Sequence, residues 1–160
     1  MRGAGLQGAA REGEAPGSRP RDGRDDRERA GNPFPPGYPK YFTPEGHTRV
    51  ELITTEAENL AERFESDRLK RHQLRAFYDH AKRQLQRLQY GAPFGEVHPE
   101  IARLKAFAAD RAGRADNALP FSFKQFIDRN VDAITGEASF RKGFMPHFEA
   151  VVAYCARIKD

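Results

Sequence analysis

Basic side chains recur along one amphipathic stretch of the chain, residues 71–88, which reads RHQLRAFYDHAKRQLQRL. In a helical projection at about 100° per residue, Arg71, Arg75 and Lys82 fall on one edge of this stretch, with Tyr78 beside them. A row of cations can contact successive phosphates of a nucleic-acid backbone, and an adjacent aromatic ring can lie against a sugar or base. This edge is therefore the first candidate for a polyanion-binding surface.

A second group of basic residues follows on the next predicted helix: Lys105, Arg111 and Arg114. We expect the cations of the two helices to converge on one exterior strip that follows a sugar–phosphate chain. The opposite side of residues 71–88 is also basic, but we interpret it as an ordinary solvated face: His72, Arg83 and Arg87. Helical geometry alone leaves two explanations open for the basic residues, nucleic-acid binding and simple solubility.

The side chains that could form a catalytic or metal centre lack the spacing that such centres need. No Glu-x-x-His or His-x-x-x-His pair occurs, and His72 and His80 project about 80° apart, so they do not converge on one ion. There is no Gly-x-Ser-x-Gly elbow and no phosphate-binding glycine loop. Cys155 lies in an apolar stripe and is predicted to be a small buried hydrophobe, and Glu149 is predicted to pair with an arginine for structural reasons. The sequence therefore predicts neither an enzyme nor a metal or cofactor site.

Composition places the chain among globular proteins of the cytoplasm. It has 160 residues, 38% of them hydrophobic, and a formal net charge of +4, a mild excess that hints at an anionic partner. No apolar run approaches the roughly 20 residues that cross a bilayer. The N-terminal GAGLQGAAREG lacks the apolar segment of a secretory signal, and a single cysteine favours a reducing compartment.

The first part of the chain differs in composition from the rest. Glycine, proline and charges of both signs crowd residues 1–47, which are therefore predicted to be a disordered tail. Within it, PFPPGYPKYF (33–42) combines aromatic residues with polyproline character. We interpret this segment as a plain linker, with a partner-docking motif as the alternative.

Residues 48–160 are helical by every local sign. Apolar residues recur at spacings of three and four, as in Leu74, Phe77, Ala81, Leu85 and Leu88. Ser122 and Gln125 fit a capping box at the start of a fourth helix. The last helix is apolar on most sides, which is typical of the centre of a bundle, and Pro146 indicates that it begins around Met145 or is kinked there. We therefore predict an all-α fold, a five-helix bundle.

Three stretches, in the same order, resemble a known family. HFEAVVAYCARI (147–158) resembles the C-terminal helix of the small subunit of type III-A CRISPR effector complexes, the Csm complex. ADRAGR (109–114) is similar to that family's AGR-ended helix, and HQLRAFY (72–78) to its Gln-hydrophobic-Arg helix. The resemblance covers about residues 50–160.

The resemblance implies a helical, non-catalytic subunit of a ribonucleoprotein, present in more than one copy and lying along the guide RNA and its target. The implied partners are the guide (CRISPR) RNA, the target RNA, the other effector subunits and further copies of the chain, with no membrane. Among basic residues, those that match the family's motifs are Arg75, Lys105 and Arg114. The helical projection adds three more to this candidate RNA-binding set: Arg71, Lys82 and Arg111.

Two other functions are compatible with the same residues. A helical protein–protein interaction adaptor would carry the arginines only as solvated side chains. A DNA-binding regulator is less favoured, because no short helix-turn-helix with an exposed polar recognition helix is evident.

Overall fold

Helices make up the regular secondary structure in the computed structural model, which describes residues 32–160. A single turn, α1 (Val50–Ile53), precedes five longer helices: α2 (Thr55–Ser66), α3 (Arg71–Gln89), α4 (Phe94–Ala112), α5 (Phe121–Ala133) and α6 (Met145–Tyr154). A π-helical segment, Ser139–Phe144, leads directly into α6. The predicted all-α, five-helix fold is therefore confirmed.

An aromatic core joins α2, α5 and α6. The Phe126 ring on α5 lies 5.4 Å from that of Phe64 on α2 and 5.3 Å from that of Phe148 on α6, edge to face in both cases. Each such pair contributes about 0.5–1.5 kcal/mol beyond the burial of apolar area. Because α6 packs against α1, α2 and α3, the prediction that the last helix is central is also confirmed.

Helix α3 is held along two flanks. On one flank, His80 Nε2 donates to the carbonyl oxygen of Glu100 on α4 at 2.6 Å. On the other, the Tyr78 ring meets Phe148 of α6 edge to face at 5.4 Å. The apolar stripe between the flanks is buried: Leu74, Phe77, Ala81, Leu85 and Leu88. Only the outer face of α3 is therefore open to solvent, and it is bordered by α4 on one side and α6 on the other.

The segment before α1, residues 33–48, packs against the helices, and we call it the N-terminal strap. Phe34, Tyr38 and Tyr41 are only 6–7% exposed. The prediction of a disordered tail over residues 1–47 is therefore wrong for its described part, and so is the plain-linker interpretation; residues 1–31 lie outside the described residues. The aromatic rings bury enough apolar area to offset the ordering entropy, which composition alone does not show.

A buried polar network fastens the strap to α5 and α6. His147 Nδ1 lies 2.6 Å from the Leu52 carbonyl oxygen, which only accepts, so Nδ1 carries the proton and Nε2 accepts from the Tyr38 hydroxyl at 2.7 Å. Asn130 Nδ2 donates to the Tyr38 oxygen at 2.8 Å, and Asn130 Oδ1 accepts from Tyr41 at 2.7 Å. Each of these buried groups is satisfied, so the network positions the strap without an unpaired polar atom among its members.

The start of α6 shows how Pro146 is accommodated. Proline has no N–H to donate to the carbonyl four residues earlier. That carbonyl, of Lys142, instead accepts the Thr48 hydroxyl of the strap at 2.7 Å. Of the two predicted outcomes, the α-helix begins at Met145, and the turn before it is π-helical.

The predicted capping box at Ser122 does not form. Helix α5 begins one residue earlier, at Phe121, so Ser122 lies inside its first turn. Its hydroxyl donates instead to Asp67 Oδ2, just beyond α2, at 2.6 Å. A tertiary partner has therefore replaced the local cap.

Substituting Gly143 tests the packing of the N-terminal strap against the segment before α6. A Cβ atom at this position would collide with the Tyr41 ring. We expect Gly143→Ala to lower the free energy of unfolding, measured by urea denaturation, by about 1–3 kcal/mol through overpacking. The matched control is Gly95→Ala in α4, where a Cβ meets nothing within 4 Å, and it should be neutral or slightly stabilising. Equal effects of the two substitutions would contradict the packing of the strap.

The buried imidazole makes stability depend on pH. Burial lowers the pKa of His147 to about 4, below its value of about 6.5 in an unfolded chain. Protonation thus favours the unfolded chain. The stabilisation that neutral His147 contributes to the fold is complete above pH about 6.5 and is lost as the pH falls towards 4. Between pH 7.5 and 5.0, the free energy of urea unfolding should fall by about 2 kcal/mol more in the wild type than in His147→Gln. His47→Gln, at an exposed site, should keep the wild-type dependence.

Candidate nucleic-acid interface

The flank of α3 that borders α6 carries the four side chains predicted to share an edge: Arg71, Arg75, Tyr78 and Lys82. We call it the α3–α6 edge. At its first turn, Arg71 Nη2 donates to the carbonyl oxygen of Ala156, just beyond α6, at 3.4 Å. Two turns later, the Tyr78 hydroxyl donates to Glu149 Oε2 on α6 at 3.4 Å. The burial of the apolar stripe on α3 sets this arrangement.

Arg75 is the freest cation of this edge. Its side chain is exposed, and among residues 32–160 it has no ion pair or hydrogen bond. Its position in the helix places it between Arg71 and Lys82. A guanidinium in this state has all of its donors available to an external anion.

Lys82 is held by an acid of the neighbouring helix. Its Nζ lies 3.0 Å from Glu149 Oε2, and the two side chains are 39% and 43% exposed. The hydrogen bond and charge of Glu149 raise the pKa of Lys82, while burial, together with the Glu149 charge, raises that of Tyr78. The prediction that Glu149 pairs with an arginine is wrong, because α6 turns this residue towards the exposed border with α3.

The basic residues of the second group form their own contacts. Lys105 Nζ lies 2.6 Å from Asp132 Oδ1 at the end of α5, and this hydrogen bond raises the pKa of Lys105. Arg114, just beyond α4, pairs with Asp110 one turn back at 3.0 Å. All four side chains are 43–66% exposed, so both pairs lie at the surface.

Arg111 lies on the other flank of α3. Its guanidinium carbon is 5.7 Å from the ring centroid of Phe77 on α3 and 5.4 Å from that of Phe107 on α4. By helical projection, Arg75 and Lys82 point about 140–160° away from Phe77. Arg111 is therefore on the side of α3 away from the α3–α6 edge.

The expected convergence of the six cations on one strip is consequently wrong. Arg71, Arg75 and Lys82 form the α3–α6 edge, and Arg111 lies between α3 and α4. Lys105 faces α5, and Arg114 lies just beyond the end of α4, paired with Asp110. Helical projection placed residues correctly around each helix, but it does not contain the angle at which neighbouring helices pack.

Two exposed side chains on the outer face of α3 lie outside the predicted RNA-binding set. Arg83, interpreted as part of a solvated face, has no ion pair or hydrogen bond within residues 32–160. Tyr90, at the C-terminal cap of α3, is 90% exposed. The Gly91-Ala92-Pro93 turn was a usable signal for Tyr90, because a ring at the last residue before a turn need not continue the apolar stripe.

The described residues group no three His, Cys, Asp or Glu side chains that could hold a metal ion. In the same part of the chain, no helix has both the length and the apolar character needed to cross a bilayer. Cys155 is free and buried, and burial raises the pKa of its thiol to about 12. A thiol in this state is a packing group, as predicted, and is the opposite of an activated nucleophile.

Comparison with known proteins identified one family. The family model described as Csm2 Type III-A matches residues 47–159, which span all of the helices. No curated protein and no solved structure matches the chain.

The exposure of the Lys82–Glu149 pair predicts a small energetic role. Glu149→Gln should change the free energy of urea unfolding by less than about 1 kcal/mol, and a double-mutant cycle with Lys82→Gln should give a coupling of similar size. Glu56→Gln is the comparison, because the Arg49–Glu56 pair is only 22% and 13% exposed and its loss should cost more. A coupling of several kcal/mol for Lys82–Glu149 would show that this pair is structural.

Proposed function

The chain belongs to the Csm2 family of type III-A CRISPR effector subunits, and we propose that it is the non-catalytic, RNA-binding small subunit of such a ribonucleoprotein. In this proposal it lies along the guide RNA and target RNA and stabilises their duplex through contacts to the sugar–phosphate backbone. Its partners are the two RNA strands, the other effector subunits and further copies of itself. The complex acts in the cytoplasm, in antiviral defence.

The observation that carries the RNA-binding part is the α3–α6 edge. Arg75 is exposed and free of partners within residues 32–160, and Arg71 and Lys82 lie one turn before it and two turns after it. Successive cations on one side of a helix match a linear polyanion, and flexible side chains grip phosphates without reading bases. A scaffold on a guide–target duplex needs this kind of grip, since base pairing supplies the sequence specificity.

The ion pairs at the surface do not prevent such contacts. Exposed pairs such as Lys82–Glu149 contribute about 0–1 kcal/mol, so a lysine can exchange its carboxylate for a phosphate at little cost. Lys105, Arg111 and Arg114 remain candidate contacts, but to parts of the RNA beyond the α3–α6 edge. Few phosphates per copy imply weak binding by one subunit, which neighbouring copies on the same backbone strengthen through effective concentration.

The same ion pairs favour one alternative, a protein–protein interaction adaptor. Lys82, Lys105 and Arg114 each have a carboxylate within 3.0 Å, as ordinary solvated cations do. The two functions differ in their response to salt. Phosphate contacts release counterions, whereas an adaptor has no RNA affinity for salt to reduce.

We expect the double variant Arg75→Ala/Lys105→Ala to bind a labelled 20-base-pair RNA duplex roughly tenfold more weakly than the wild type in fluorescence anisotropy. If three to five phosphates are contacted, the wild-type plot of log K against log salt should have a slope of about −3 to −4.5. The slope for the double variant should be shallower by about 2, since this variant lacks two phosphate contacts. Its free energy of unfolding should change by less than about 1 kcal/mol, because both side chains are exposed.

The matched control for this experiment is Arg141→Ala. Arg141 is an exposed cation of the π-helical segment, paired with Glu137 at 2.9 Å, and its loss should leave RNA affinity and salt slope unchanged. An unfolded double variant would show that the two residues are structural. A flat salt response of the wild type would favour the adaptor.

A further inference from the structure

A groove runs along the exposed face of α3, beginning at the border with α4 on the side away from the α3–α6 edge, and we call it the α3–α4 groove. It consists of two hollows that share Arg83. The first is flanked by Phe107 and Arg111 of α4. The second lies on α3 itself, extends past Arg87 to Tyr90, and ends at Ala92 in the turn before α4. From Ala76 to Tyr90 the groove follows α3 for about 21 Å, at about 1.5 Å per residue.

The groove is cationic where an anion could enter it. Arg83, at its centre, is exposed and has no ion pair or hydrogen bond among the described residues, although Asp79 lies one turn away. Arg87 is only partly engaged, by Gln84 at 3.0 Å and by Glu96 at 3.6 Å. Within the part of the chain that the structure describes, the groove thus has three arginines and only two nearby carboxylates, and the central arginine, Arg83, has no carboxylate partner. These groups are Arg83, Arg87 and Arg111 with Asp79 and Glu96.

The groove also has an aromatic ring at each end, and the ring of Tyr90 is open to solvent. Tyr90 is 90% exposed, so nearly all of its ring surface is open to a ligand. At the other end, Arg111 lies over the half-buried ring of Phe107 at 5.4 Å. A cationic groove with an exposed aromatic ring is the arrangement by which proteins bind single-stranded nucleic acid, because each base has a face that can stack.

We propose that this α3–α4 groove is a second RNA site, which binds an unpaired stretch by stacking a base on Tyr90 and holding a phosphate with Arg83. This inference rests on the proposed function and adds the class of RNA bound and the residues that bind it. A base within a duplex is already stacked on both faces, so Tyr90 acts only on an unpaired nucleotide. The groove's length corresponds to the smallest single-strand sites, of about four nucleotides.

The absence of tryptophan from the chain allows a direct test. Tyr90→Trp in the full chain introduces one fluorophore at the proposed stacking position, and Tyr154→Trp, at a ring 41% exposed on α6, is the matched control. Single-stranded oligo(U) should quench the fluorescence of the Tyr90→Trp variant and leave that of the Tyr154→Trp variant unchanged. Inorganic polyphosphate, which has charge but no bases, should quench neither. Equal quenching of both variants, or quenching of the Tyr90→Trp variant by polyphosphate, would overturn the stacking assignment.

Affinities separate this site from the α3–α6 edge. Arg83→Ala and Tyr90→Ala should each weaken oligo(U) binding by about tenfold while changing duplex affinity less than twofold, whereas Arg75→Ala should weaken duplex binding. If Arg75→Ala acts as expected and the two groove variants bind oligo(U) as the wild type does, the groove inference alone fails. If the wild-type chain binds neither RNA, the proposed function and this inference both fail.

Discussion

The burial of the apolar stripe on α3 is the constraint on which the candidate interfaces depend. Phe77 and its neighbours pack inward, and α4 and α6 cover the two flanks, so the rotation of α3 about its axis is set by hydrophobic free energy. That rotation decides which cations reach solvent: Arg75 emerges beside α6 and Arg83 beside α4. The basic residues are thus positioned by a core that they do not themselves join.

The balance of charge around the candidate RNA-binding residues suits reversible binding. Lys82, Lys105 and Arg114 are paired with carboxylates, but in exposed positions where a pair contributes about 0–1 kcal/mol. Phosphates can therefore replace the carboxylates at little cost, while the pairs limit the net charge to +4 and with it unspecific attraction to other polyanions. In the proposed function, such a subunit would have low affinity for RNA by itself and would gain affinity from copies bound side by side.

The strap adds a second kind of constraint, which is polar. Tyr38, Tyr41, Asn130 and His147 satisfy one another within the core, and losing one partner would leave buried polar groups unpaired. The network and the contact of Tyr41 with Gly143 admit one placement of the strap, whereas apolar contacts alone tolerate several. The same segment supplies the Thr48 hydroxyl to the carbonyl that Pro146 leaves without a helical donor.

The sequence by itself determined the helices, the central position of the last one, the buried state of Cys155 and the family, because these follow from local periodicity and short motifs. Within α3 it also placed Arg71, Arg75 and Lys82 on one edge, since 3.6 residues per turn is a property of the helix alone. Only the tertiary structure decided that Arg111 and Lys105 lie away from that edge, that Ser122 bonds Asp67, and that the strap is ordered. Each of these depends on how separate segments pack, and packing angles and long-range partners are set by the sum of many contacts across the core, which no local pattern contains.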